Sequence, residues 1–160
     1  VEVLGPRAKR TTESHLDDID RAIIEQLQRD GRLPYTKLSA AVGLSEAAVR
    51  QRVQRLLDTG VMQVVAVTDP LSLGLRRMAM LGVKCEGDVS VVADKIGGVD
   101  DVDYLVITAG SFDILIEVVV ENDERLLALM NRLRTIPGVR GMECFIYLRL
   151  GKQTFTWGAH

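Results

Sequence analysis

The stretch from Tyr35 to Gly60, YTKLSAAVGLSEAAVRQRVQRLLDTG, constrains this chain most, because its apolar spacing predicts two short helices joined by a tight turn. Leu38, Ala41 and Val42 fall at i, i+3 and i+4, so one face of the first helix is expected to be buried. Gly43 follows the last periodic residue, where a left-handed backbone angle ends a helix. Ser45 then stands where an N-cap hydroxyl takes the free amides of the next helix. Small Ala40 and Ala41 are expected to let the two helices approach closely. Together these features predict a helix-turn-helix, the arrangement that presents a helix to the major groove of DNA.

In the second helix, Val49, Val53, Leu56 and Leu57 define a buried stripe. At about 100° per residue, Ala47, Gln51, Gln54, Arg55 and Asp58 point away from it, flanked by Arg50 and Ala48. The N-terminal part of a recognition helix meets base edges, which places Glu46, Ala47, Ala48, Arg50 and Gln51 to read sequence. Arg pairs bidentately with guanine and Gln with adenine, while Ala touches a thymine methyl. Arg52 lies at the edge of the apolar stripe, within reach of a phosphate or a carboxylate, and with Arg55 is expected to anchor phosphates. Thr36 and Ser45, at the starts of the two helices, complete the expected DNA-contacting set.

The formal net charge of −2 over 160 residues argues against a protein that coats nucleic acid indiscriminately. From Ser45 to Leu56, however, three Arg stand against Glu46 alone, so positive charge is focused on the predicted reading helix. With 47% hydrophobic and 26% charged residues the chain can build one ordinary core or two small ones. Cys85 and Cys144 are too few and too distant for a zinc site or a disulfide framework, and they read as small buried thiols. His15 and His160 have no partner spacing, so neither a metal nor a cofactor is expected. No membrane span and no signal-peptide pattern are present, which predicts a soluble intracellular protein.

Residues 1–15 read as a flexible arm, whose Arg7, Lys9 and Arg10 either touch a DNA backbone or stand idle. A helix is expected from Asp17 to Asp30, with Asp17, Asp18 and Asp20 at its positive end and Leu16, Ile19, Ile23 and Leu27 as its stripe. The helix-turn-helix domain spans 16–62; a short strand from Val61 to Thr68 completes it as a winged-type unit and runs into a connecting hinge over 63–75. Residues 76–150 then alternate strand Arg77–Cys85, helix Val89–Ile96, strands Val102–Ala109 and Asp113–Glu121 meeting at Gly110-Ser111, helix around Leu126–Leu133 and strand Val139–Leu150. That order, β-α-β-β-α-β, is ferredoxin-like, so the fold class is α+β with a tail over 151–160. Ile114, Ile116, Val118 and Val120 share one strand face while Leu115 and Val119 keep the other partly apolar. A second copy is the cheapest cover for that other face, which predicts a homo-oligomer.

This succession resembles the Lrp/AsnC family of bacterial and archaeal transcription regulators. The matching segments are LDDIDRAIIEQLQRDGR (16–32), LSAAVGLSEAAVRQRVQRLLDTGVM (38–62), DPLSLG (69–74), TAGSFDILIEV (108–118) and PGVR (137–140). The resemblance implies a RAM/ACT-like C-terminal domain that dimerises through its sheet and assembles further, to tetramers or octamers. It implies a roughly palindromic double-stranded DNA operator and a cytoplasmic, nucleoid-associated site of action. It also implies an amino acid or related metabolite as effector, held between dimers near a Gly-x-x-Asp hairpin, here Gly110, Ser111, Phe112 and Asp113, with Thr108 beside it. Turn amides would take the carboxylate and Asp113 the ammonium, with Phe112 and Met142 as apolar walls. The alternative for Asp113 is a plain hairpin in which it bonds its own turn.

Three positions depart from the family pattern. Met142 and Cys144 stand where threonines are common on the last strand, and Ala109 where a threonine often precedes the hairpin glycine. Fewer hydroxyls favour a larger apolar or aromatic amino acid over a strongly polar one, or a chain that ignores amino acids. Two other function classes compete: a chromatin-organising DNA-binding protein of low sequence selectivity, and an enzyme or metabolic binding module built on the C-terminal domain. The chain carries no phosphate-binding Gly loop, paired-His motif or nucleophile beside a base, so no enzyme is expected.

Overall fold

The computed structural model describes residues 16–153. The expectations for the 1–15 arm and for residues 154–160, with Trp157, lie outside the described residues. The chain divides into two compact units at Ala66/Val67, each described by itself below.

The N-terminal unit holds three helices: α1 (Asp18–Arg29), α2 (Tyr35–Val42) and α3 (Glu46–Asp58). Asp17 caps α1, accepting from the amide of Asp20 at 2.8 Å while the Asp20 carboxylate takes the Asp17 amide in return. Gly43 ends α2 in the left-handed region at φ 71°, which no β-branched or bulky residue adopts cheaply. Two residues later the Ser45 hydroxyl accepts from the amide of Ala48 at 3.3 Å and opens α3. Ile23, Leu38, Val49, Val53 and Leu56 meet in one core, each burial contributing about 1.5–3 kcal/mol.

Two expectations for this unit need correction. Ala40 and Ala41 are exposed; α2 turns Leu38, with the half-buried Tyr35, Ser39 and Val42, toward the core. Those four residues follow the helical period, and in a helix of eight residues the small alanines are left facing outward. The strand over Val61–Thr68 is not formed: residues 62–69 carry neither ladder nor helix, and Val64, Val65 and Val67 stay exposed. A strand needs a neighbour for its amides and carbonyls, and no described strand of the chain pairs with this segment.

The C-terminal unit is a four-stranded antiparallel sheet of order β2-β3-β1-β4, with β1 (Arg77–Cys85), β2 (Val102–Ile107), β3 (Ile114–Val120) and β4 (Val139–Ile146). Helices α4 (Val89–Gly97) and α5 (Asp123–Arg134) cover one face. Both begin on side-chain caps, Asp88 to the amide of Ser90 and Asn122 to the amide of Arg125. The element order is βαββαβ. Ala79, Leu81 and Val83 of β1 and Ile114, Ile116, Val118 and Val120 of β3 point into the helix-covered core and are buried. The other face carries Met78, Met80, Leu115 and Val119, partly buried, with Tyr104 and Phe145 about half exposed. Glu117 stands in the middle of this apolar face, paired in register with Met80 and Tyr104. Burial and a hydrogen bond to Glu117 push the Tyr147 phenol up to about 12.

Candidate nucleic-acid interface and effector hairpin

Burying Val49, Val53 and Leu56 fixes the rotation of α3 and turns Glu46, Ala47, Arg50, Gln51 and Gln54 outward, with Ala48 half-buried. Ala47, Arg50, Gln51, Gln54, Arg55, Asp58 and Thr59 line a shallow depression. Gln54 is tied to its own helix by a 2.8 Å bond to Asp58. Thr36 is exposed at the start of α2, where its carbonyl accepts from the Ser39 hydroxyl, and Ser45 is exposed at its cap position.

The three arginines of α3 do three different things. Arg52 donates from one terminal nitrogen to Asp17 at 2.7 Å and to Asp20 at 2.8 Å. Arg55 donates to both oxygens of Asp20, at 2.6 and 2.7 Å. Asp20 has a side chain only 1% exposed, so its charge is compensated by two guanidinium groups and the Asp17 amide. A buried carboxylate thus holds both Arg52 and Arg55 against α1, each through one terminal nitrogen, while half of the Arg55 side chain stays exposed. The amide of Asp20 and then Arg52 hold the Asp17 carboxyl below the usual range, and Asp17 and Asp20 raise Arg52 in turn. Arg50 differs. Its guanidinium carbon lies 4.6 Å from the centroid of the Tyr35 ring, and it makes no hydrogen bond or ion pair among the described residues.

Sequence reasoning missed Asp20 and Tyr35 as parts of this surface. The signal for Asp20 was present: Leu16, Asp20, Ile23 and Leu27 share a helical face, so an acid sat on the buried stripe while Arg52 edged the facing one. Tyr35 gave no local signal, because its partner is on another helix.

In the C-terminal unit, the loop between β2 and β3 brings Thr108, Gly110, Ser111, Phe112 and Asp113 into one turn. The Thr108 hydroxyl donates to the Phe112 carbonyl at 2.6 Å and its amide to the Asp113 carbonyl. The Asp113 carboxylate accepts from the amide of Cys85 at 2.7 Å, and its own amide bonds the Val83 carbonyl. The Asp113 side chain thus clips the hairpin to the end of β1, while only its backbone carbonyl bonds its own turn. Burial first and the Asp113 charge second push the Cys85 thiol up. Gly110 has no left-handed angle, and a β carbon there would meet no heavy atom within 4 Å.

Met142 does not belong with these residues. It pairs with Val83 and packs into the helix-covered core, whereas Phe112 lies against Gly82 and Phe145 on the opposite face. Within one chain the two stand on opposite faces of the sheet, because residues along a strand alternate between faces and the β1 register puts them on different ones.

A helix-turn-helix with an exposed outer face on α3, followed by a βαββαβ domain, defines a two-part DNA-binding regulator. Residues 16–57 match the AsnC-type helix-turn-helix domain and residues 78–157 the Lrp/AsnC ligand binding domain, and the chain belongs to the Lrp/AsnC family of transcription regulators. It is 34% identical over 141 residues to the HTH-type transcriptional regulator FL11 of Pyrococcus furiosus, covering 87% of this chain and 93% of that protein. The solved leucine response regulatory protein LrpA of Mycobacterium tuberculosis superposes with a TM-score of 0.78 at 29% identity, over 86% of this chain and 96% of that one. The transcriptional regulator NMB0573 of Neisseria meningitidis, solved with L-Met, has the same fold, with a TM-score of 0.80 at 24% identity over 89% and 96% of the two chains. Among the described residues, no helix is long and apolar enough to cross a membrane.

Proposed function

We propose that this regulator reads its operator through Glu46, Ala47, Ala48, Arg50 and Gln51, acts as at least a dimer, and responds to an amino acid at the Gly110–Asp113 hairpin. The observation that carries the reading is the division of labour on α3. Arg52 and Arg55 are held by Asp20, while the outward N-terminal half offers Arg50 with uncommitted donors beside Gln51. Such a surface favours base reading over indiscriminate phosphate binding.

Assembly is supported by the helix-free sheet face, where Met78, Met80, Leu115 and Val119 form an apolar field continued by exposed Tyr104 and Phe145. Two-fold pairing of that face implies a roughly palindromic operator. The effector reading rests on Gly110, where a β carbon would meet no heavy atom within 4 Å among the described residues, and on the Asp113 carboxylate of the same hairpin. L-Met on the Neisseria regulator makes amino acids the class to try first.

Quantitative binding to a selected operator and to random duplex tests the reading. Arg50→Ala and Gln51→Ala should each cost about 1–3 kcal/mol on the operator and little on random DNA. Equal losses on both overturn it. Light scattering of the full chain tests assembly, and a monomer at micromolar concentration overturns that part.

A further inference from the structure

We propose that Tyr35 is a positioning residue for sequence readout: its ring fixes where Arg50 reaches from the surface of α3. Three observations combine. Tyr35 is partly buried and packed against the helix-turn-helix core, so its ring is a held platform rather than a loose surface aromatic. The Arg50 guanidinium carbon lies over that ring at 4.6 Å from the centroid, within the range where the ring quadrupole attracts a cation. Arg50 has no competing hydrogen bond or ion pair among the described residues, whereas Arg52 and Arg55 each commit a terminal nitrogen to Asp20.

The consequence follows from the chemistry of the guanidinium group. A ring contact that uses no hydrogen bond leaves the N–H groups of the guanidinium available, and those are the groups that form the bidentate fork to a base. A free Arg on an exposed helix loses rotamer freedom when it binds. One already resting on a ring loses less. Tyr35 sits fifteen positions earlier, on α2, so the aim of the reading side chain depends on the helix pairing as well as on α3 itself.

The inference rests on Arg50 reading bases, and the experiment separates the two. Full-length Tyr35→Phe, Tyr35→Leu, Tyr35→Ala, Arg50→Ala and Tyr35→Ala/Arg50→Ala are compared on the duplex selected by the wild type from a random pool and on random duplex. Tyr35→Phe keeps the ring and should match the wild type within twofold. Tyr35→Leu keeps apolar packing but removes the π face, and should lower the operator-to-random ratio about two- to fivefold, as should Tyr35→Ala. In the Arg50→Ala background, Tyr35→Ala should cause no further loss of that ratio.

If Arg50→Ala leaves the ratio unchanged, Arg50 does not read bases and both readings fall. If Arg50→Ala lowers it while Tyr35→Leu does not, the base-reading assignment stands and the positioning role is overturned. An increase in operator affinity in Tyr35→Leu also overturns it, since the ring contact would then hold Arg50 back. A loss in Tyr35→Phe equal to that in Tyr35→Leu assigns the effect to the hydroxyl and overturns it too. Should Tyr35→Ala fail to fold, judged by its melting curve, the Phe and Leu variants decide alone.

Discussion

Phe112 lies across Gly82 on the helix-free face of the sheet, its ring atoms 2.6–2.8 Å from where a β carbon at position 82 would stand. The same ring meets Phe145 edge-on, with centroids 5.9 Å apart, and has the Lys84 ammonium 5.7 Å from its centre. Glycine at 82 therefore lets the β2–β3 hairpin fold its aromatic residue down onto β1. Gly82→Ala should lower stability by about 1–3 kcal/mol through overpacking. Gly82→Ala/Phe112→Leu should recover much of that loss, because the smaller side chain gives way. Thermal unfolding of the three proteins checks this; a Gly82→Ala variant that melts like the wild type removes the constraint.

Asp20 supplies a second prediction. In Asp20→Asn the buried group is neutral and loses its charge-assisted bonds to Arg52 and Arg55, which should lower the stability of the N-terminal unit by about 1–3 kcal/mol. The released arginines are then available to phosphates. Binding to random duplex should strengthen at low salt, and the plot of log affinity against log salt should steepen. An unchanged salt slope with an unchanged melting curve means the arginines were never held.

A third prediction concerns acid. The Asp20 amide and Arg52 hold the Asp17 carboxyl below its ordinary value, so folding favours its charged form. A depressed folded-state pKa contributes stability that is present above the unfolded value, about 3.9, and lost as pH falls through the lower folded one. Circular dichroism of α1–α3 should show stability declining below about pH 4. Asp17→Asn, which keeps a good N-cap but cannot titrate, should flatten that decline. Identical acid profiles for the two proteins count against the assignment.

The parts of this fold written in neighbouring residues were legible. Gly43 and Ser45 could be placed from sequence because a left-handed C-cap and an N-cap are local devices, and the alternation of Ile114, Ile116, Val118 and Val120 announces a strand face on its own. Features set by distant pairing were not. Asp20 already had a local explanation at a helix N-terminus, which hid its bonds to arginines 32 and 35 positions away. Met142 was on one face or the other by alternation, but only its register with Val83 decides which. The segment 61–68 has strand-like residues, yet a ladder is a property of two segments. Ala40 and Ala41 looked like packing residues because they are small, while the period of α2 gave the core to Leu38.

The last prediction concerns Asp113. Its carboxylate clips the hairpin to β1 through the Cys85 amide, and in the proposed function it also supplies the hairpin's negative charge, two tasks that one substitution to alanine confuses. Asp113→Asn separates them, because an amide oxygen still accepts from Cys85 but no longer attracts an ammonium. If an amino acid is the effector, a thermal-shift screen of the twenty should find one that stabilises the wild type. Asp113→Asn should keep ligand-free operator affinity within about twofold and lose the ligand's shift, since only differential binding to one state can move an equilibrium. Asp113→Ala should in addition lower the melting temperature without ligand, by releasing the amide of Cys85. A stabilising amino acid that acts equally on wild type and Asp113→Asn puts the pocket elsewhere. If none of the twenty shifts either melting or assembly, the amino-acid reading is withdrawn while the DNA-binding reading stands.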